Sequence, residues 1–148
     1  MIRLAIADDH PIVRQGLRRI ASEGAGISVV GEASTAGELF RLLAGAAVDV
    51  VLLDVSMPGS TFVETLKELR EQHPSVKVLV LSVHPEDQWA VRALRGGAAG
   101  YLTKDHSPEQ LVEAIHRVAR GSKYVSEMLA EKLAGLVDNG RTPCRMNG

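Results

Sequence analysis

The chain has 148 residues, 45% of them hydrophobic, with 17 Lys and Arg against 18 Asp and Glu and a formal net charge of −1. That length fits one domain with a full core and a short tail, and the near-neutral balance argues against a non-specific binder of nucleic acid or of an acidic membrane surface. A single cysteine, Cys144, excludes an intramolecular disulfide or a cysteine metal cluster and fits a reducing cytoplasm.

Apolar runs alternate with helical patterns five times along the sequence. A first strand is expected over Ile2 to Ala7, where a signal peptide would show a basic start, a long apolar run and a small-residue cleavage site. The helix after it has Pro11 in its first turn, where a missing N–H costs nothing, and an apolar stripe of Val13, Leu17 and Ile20. A second strand spans Ile27 to Gly31. The second helix opens at Thr35-Ala36-Gly37-Glu38, which has the spacing of a capping box, and turns Leu39, Leu42 and Leu43 inward. The third strand is Asp49 to Leu53. A third helix starts near Ser60 or Thr61, carries Phe62, Leu66 and Leu69 on one face and ends before Pro74. The fourth strand is Val76 to Leu81. The fourth helix begins at Pro85, buries Val91 and Leu94, and stops at Gly96-Gly97 as a left-handed cap would. The fifth strand is about Ala99 to Thr103. The fifth helix opens at Ser107-Pro108-Glu109-Gln110, where cap, proline and N3 glutamine agree, and its stripe is Leu111, Ile115 and Val118. No apolar run approaches the ~20 residues that span a bilayer.

Strands joined through helices by short loops give a parallel sheet covered on both faces, with right-handed crossovers. The expected fold class is therefore α/β, a flavodoxin-like (βα)5 three-layer sandwich with strand order 2-1-3-4-5 and a switch point between the first and third strands. Ligands of such sheets lie outside the carboxyl ends of the strands. There the apolar runs stop at Asp8-Asp9, at Asp54, at Ser82 and at Lys104. Three carboxylates, a hydroxyl and an ammonium should thus surround one pocket. Like charges ~4 Å apart cost about 4 kcal/mol at an effective dielectric near 20, so either one acid keeps its proton or a cation binds. An all-oxygen set with open positions suits Mg²⁺. Asp54 is the candidate nucleophile, since carboxylates form aspartyl-phosphate intermediates. Lys104 would reach a phosphoryl oxygen as a point charge, and Ser82 would donate its hydroxyl to another. Singly, each of these has a plainer reading: a helix cap for one of Asp8 and Asp9, a turn for Ser82, a solvated side chain for Lys104. His10, before Pro11, reads as a loop residue rather than a metal ligand.

At Asp8-Asp9-His10-Pro11, Asp54-Val55-Ser56-Met57-Pro58-Gly59, Leu81-Ser82-Val83-His84 and Gly100-Tyr101-Leu102-Thr103-Lys104 the chain resembles the receiver domain of bacterial two-component response regulators. The resemblance runs from about Ile2 to Arg120, and the Asp-Asp-His-Pro and Met-Pro-Gly forms are most similar to the NarL/FixJ type, in the LuxR-like family. It implies that Asp54 accepts a phosphoryl group from a sensor histidine kinase. It also implies that Asp9, Asp54 and the Ser56 carbonyl ligate Mg²⁺, with Asp8 acting through water. Lys104 and Ser82 would contact the phosphoryl group. Ser82 and Tyr101 match a switch pair, in which Tyr101 turns inward as Ser82 moves. Dimerisation on phosphorylation, and DNA binding through a C-terminal helix-turn-helix domain outside this sequence, are further family expectations. Phe62 departs from a family preference for Gly after the Met-Pro-Gly turn. Ser56 and His84 border the pocket and are expected to tune phosphate lifetime.

The expected organisation is a receiver domain over 1–121, a linker over 122–137 with an amphipathic helix from about Ser126, and a tail over 138–148 that is either disordered or appended to the natural sequence. Three other readings fit less well. A phosphatase using Asp54 would want a second acid where Ser56 stands. A nucleotide or flavin module would want a glycine-rich loop where Asp8-Asp9-His10-Pro11 stands. A stand-alone receiver acting through protein–protein contacts remains the alternative to a fragment of a transcription regulator.

Overall fold

A computed structural model describes residues 1–55, 61–82, 88–103 and 106–125, apart from the side chains of Gln88 and Trp89. Five strands and five helices alternate: β1 (Ile2–Ala7), α1 (Pro11–Glu23), β2 (Ile27–Ala33), α2 (Ala36–Gly45), β3 (Val50–Asp54), α3 (Phe62–Gln72), β4 (Lys77–Ser82), α4 (Gln88–Arg95), β5 (Gly100–Thr103) and α5 (Pro108–Ala119). All neighbouring strands are parallel, in the order β2-β1-β3-β4-β5. The expected fold class and strand order are those observed.

Residue alternation along the strands builds two cores. Leu4, Ile6, Val50, Leu52, Leu79, Leu81 and Leu102 pack with Leu17 and Ala21 of α1 and with Leu111, Ala114, Ile115 and Val118 of α5. Their neighbours Ala5, Ala7, Val51, Leu53, Val78, Val80 and Tyr101 pack with α2, α3 and α4. Burial on both faces explains why β1, β3 and β4 read as continuous apolar runs rather than as alternating ones.

The helix ends follow the local chemistry. Thr61 and Ser107 each head a complete capping box, with Glu64 and Gln110 as their N3 partners. At α2 only half of the box forms: Thr35 accepts from the Glu38 amide, while the Glu38 carboxylate turns to the amide and hydroxyl of Ser34. α4 ends as its glycines predict. Gly97 has φ +106°, its N–H reaches the Leu94 carbonyl, and the Ala98 N–H reaches the Ala93 carbonyl.

Some details differ from the sequence reading, beyond shifts of one residue at the ends of β3, β4 and β5. β2 runs past Gly31 to Ala33, because Glu32 and Ala33 continue the ladder with Ile6 and Ala7 of β1; Arg14 and Arg18 of α1 each hold Glu32 at 3.0 Å. Among the described side chains of α4 the fully buried ones are Ala90 and Ala93, whereas Val91 and Leu94 are only partly buried. Small side chains let this helix sit close to the sheet, and the larger apolar residues flank the contact. Phe62, by contrast, lies buried in the first turn of α3, on the apolar face expected of it. After α5 the chain turns back, and Tyr124 pairs with Gly100 along the outer edge of β5. The helix expected from Ser126 and the tail beyond it lie outside the described residues. No helix among the described residues is long and apolar enough to cross a membrane.

Candidate functional site

The carboxyl ends of β1 and β3 bring the acids together. Ala7 is paired with Leu53, so Asp8 and Asp54 follow side by side. Asp8 has no exposed surface and Asp54 only 3%. The Asp8 amide is fixed by the Ala33 carbonyl, and its side chain accepts from the His10 amide at 2.8 Å. Neither acid caps α1: the N-cap is His10, whose side chain makes no capping bond, and Pro11 follows at N1. The Arg14 guanidinium donates to the Asp8 carbonyl at 2.7 Å and to Glu32 at 3.0 Å, which ties the acid turn to both α1 and β2.

His10 belongs to this cluster. Its Nδ1 lies 3.2 Å from Asp8 Oδ1, 3.0 Å from Asp9 Oδ1 and 3.9 Å from Asp54 Oδ2. One donor atom from each of Asp8, Asp9, His10 and Asp54 lies within 4.8 Å of every other. Among the described residues, Asp9 Oδ1 is shielded from water and accepts no aligned hydrogen bond, although His10 Nδ1 is near enough for charge attraction. A buried oxygen without a donor is costly, and a divalent cation would satisfy it. The donor set therefore fits a metal ion.

Ser82, the last residue of β4, is buried and follows Leu81, the register partner of Asp54. It is itself paired with Thr103, the last residue of β5. Tyr101 is wholly buried and shares a core cluster with Ala90 and Ala93. Ser56, His84 and Lys104 lie outside the described residues. The sequence reading set aside His10 and did not anticipate Arg14. The signal for His10 was its place directly after two acids at a strand end. Arg14 left no local signal, because its partners stand 6 and 18 residues away in the chain.

The response regulator receiver domain family matches residues 4–116. The chain belongs to that family. It is 40% identical over 134 residues to the response regulator UvrY of Escherichia coli K12, covering 90% of this chain and 62% of UvrY. It is 41% identical over 131 residues to the nitrate/nitrite response regulator protein NarL of the same organism, covering 88% of this chain and 61% of NarL. A two-component response regulator of the LuxR family from an Aurantimonas species has a similar structure, with TM-score 0.83 and 35% identity, covering 91% of this chain and 96% of that one. The receiver thus spans less than two thirds of the length of the curated relatives it matches. As a receiver, it is a signalling domain of two-component systems.

Proposed function

We propose that this receiver accepts a phosphoryl group on Asp54 from the phosphohistidine of a sensor kinase. The observation that carries the reading is a buried carboxylate at the switch point of the sheet, beside two further acids. In the transfer the phosphorus–nitrogen bond of the donor breaks, a bond to an Asp54 carboxylate oxygen forms, and the departing imidazole takes up a proton. Mg²⁺, when bound, would neutralise phosphoryl oxygens and the repulsion among the acids. Asp9 and Asp54, with the Ser56 carbonyl, would hold it directly, and Asp8 through water. Ser82 and Lys104 would each bind a phosphoryl oxygen. Ser56 and His84 would set how readily water reaches the acyl phosphate.

The energetics allow a switch. Hydrogen bonds to charged groups contribute roughly 1.5–3 kcal/mol each. Two or three new ones approach the ~5.5 kcal/mol that moves a population from 1:99 to 99:1. Ser82 and Tyr101 would carry the change to the α4–β5–α5 face. In a longer cytoplasmic regulator of the UvrY or NarL kind, that change would favour a homodimer and control a DNA-binding output domain.

Acetyl phosphate treatment in Mg²⁺, followed by intact-mass measurement, tests the reading. One phosphoryl adduct should appear, labile to base, and Asp54→Asn should abolish it. An adduct of undiminished yield on Asp54→Asn would overturn the assignment. His84→Ala should change the decay rate of the adduct without preventing its formation.

A further inference from the structure

We propose that His10 supplies a nitrogen donor to the acid site and tilts its ion preference from Mg²⁺ toward divalent transition ions such as Co²⁺. The inference rests on the metal-site reading above and goes beyond it in naming a donor and a selectivity.

The geometry is that of a ligand set. At metal–donor bonds of ~2.1 Å, neighbouring donors of an octahedron stand ~3.0 Å apart and opposite donors ~4.2 Å apart. The distances from His10 Nδ1 to Asp9, Asp8 and Asp54 are 3.0, 3.2 and 3.9 Å, each within about 0.3 Å of one of those two spacings. The ring is held there by its own backbone. The His10 N–H binds Asp8 Oδ1, and Pro11 fixes the turn into α1. The imidazole is not diverted to capping, since it makes no bond to the first amides of the helix. The side chain as a whole is 57% exposed, yet its Nδ1 lies 3.0, 3.2 and 3.9 Å from three carboxylates and is hydrogen-bonded to Asp8 Oδ1, a bond that the ion would replace.

The chemistry then sets the preference. Carboxylates, carbonyls and water suit Mg²⁺, whereas imidazole adds most for transition ions. Without the ring the site is an all-oxygen set. With it, the oxygen donors that would hold the ion gain one nitrogen. Ligation leaves Nδ1 without a proton, which passes to solvent, while the other ring nitrogen keeps its own.

Calorimetric titration of the full chain with Co²⁺ and separately with Mg²⁺ tests this, alongside the visible absorption of bound Co²⁺. The variants are His10→Ala and His10→Asn. Asn is a preferred N-cap residue, so it preserves the helix start while removing the imidazole. Both variants should bind Co²⁺ at least about tenfold more weakly and lose the absorption signature of nitrogen ligation. Their Mg²⁺ affinity should change much less. Equal losses for both ions would reduce His10 to ordering the turn and overturn the proposal, as would unchanged Co²⁺ binding. A wild-type protein that binds neither ion would instead remove the metal-site reading itself.

Discussion

Asp49 stands at the end of the sheet opposite the acid cluster, and there one carboxylate ties two strands together. It accepts from the Arg3 amide at 2.8 Å and from the Arg3 guanidinium at 2.9 and 3.1 Å. The side-chain hydrogen bond from Arg3, and then the backbone one, hold the Asp49 carboxyl below its ordinary value against a smaller opposing effect of burial. A lowered folded pKa means stability that is present above the unfolded pKa, about 3.9, and lost as pH falls through the folded value. Wild type should therefore lose thermal midpoint more steeply than Asp49→Asn below about pH 4, and the two melting curves should converge in acid. The effect should be small, because both partners are solvated. Parallel pH profiles would show that the pair contributes nothing through charge. At this scale the acids of the site were legible because each ends an apolar run. His10 was not, since the direction of an imidazole depends on how the Asp8 side chain turns back to the His10 amide.

Among the elements, α5 shows how far local signals reach. Its cap, proline and glutamine all lie in one four-residue stretch, and the structure uses all three. Ser107→Ala should cost about 1 kcal/mol, seen as a lower urea midpoint at unchanged slope. Helices whose start and stop are written in adjacent residues were therefore readable. The phase of α4 was not, because alanine is compatible with either face until the helix is docked. The edge pairing of Tyr124 was also hidden, since it depends on where the chain turns after Gly121. It leaves a testable trace at Gly100. A Cβ there would meet the Tyr124 carbonyl oxygen at 2.8 Å and Leu79 Cδ1 at 2.9 Å. Gly100→Ala should force the returning segment off β5 and destabilise the fold by about 1–3 kcal/mol. Amide hydrogen exchange should speed up at Tyr101 and Tyr124, whose N–H groups form this pairing. Unchanged protection at both would mean that the edge shifts without opening.

For the molecule as a whole, the sheet that stabilises the fold also gathers mutually repelling acids, so stability and metal binding should be linked. Asp8 and Asp54 are buried next to one another at the ends of two central strands. Their repulsion, of order 4 kcal/mol at ~4 Å and an effective dielectric near 20, is offset in part by neighbouring groups and more fully by a cation. Removing one charge should therefore help the fold when no ion is present. In chelator, Asp54→Asn should unfold at a higher urea concentration than wild type, with the same slope. Adding Mg²⁺ to 100 times its dissociation constant should stabilise wild type by about 2.7 kcal/mol. The variant, with a weaker site, should gain less, so the gap between the two proteins should narrow or reverse. If wild type were the more stable in chelator, contacts within the protein would already balance the Asp54 charge, and the acid cluster would carry no strain for an ion to relieve.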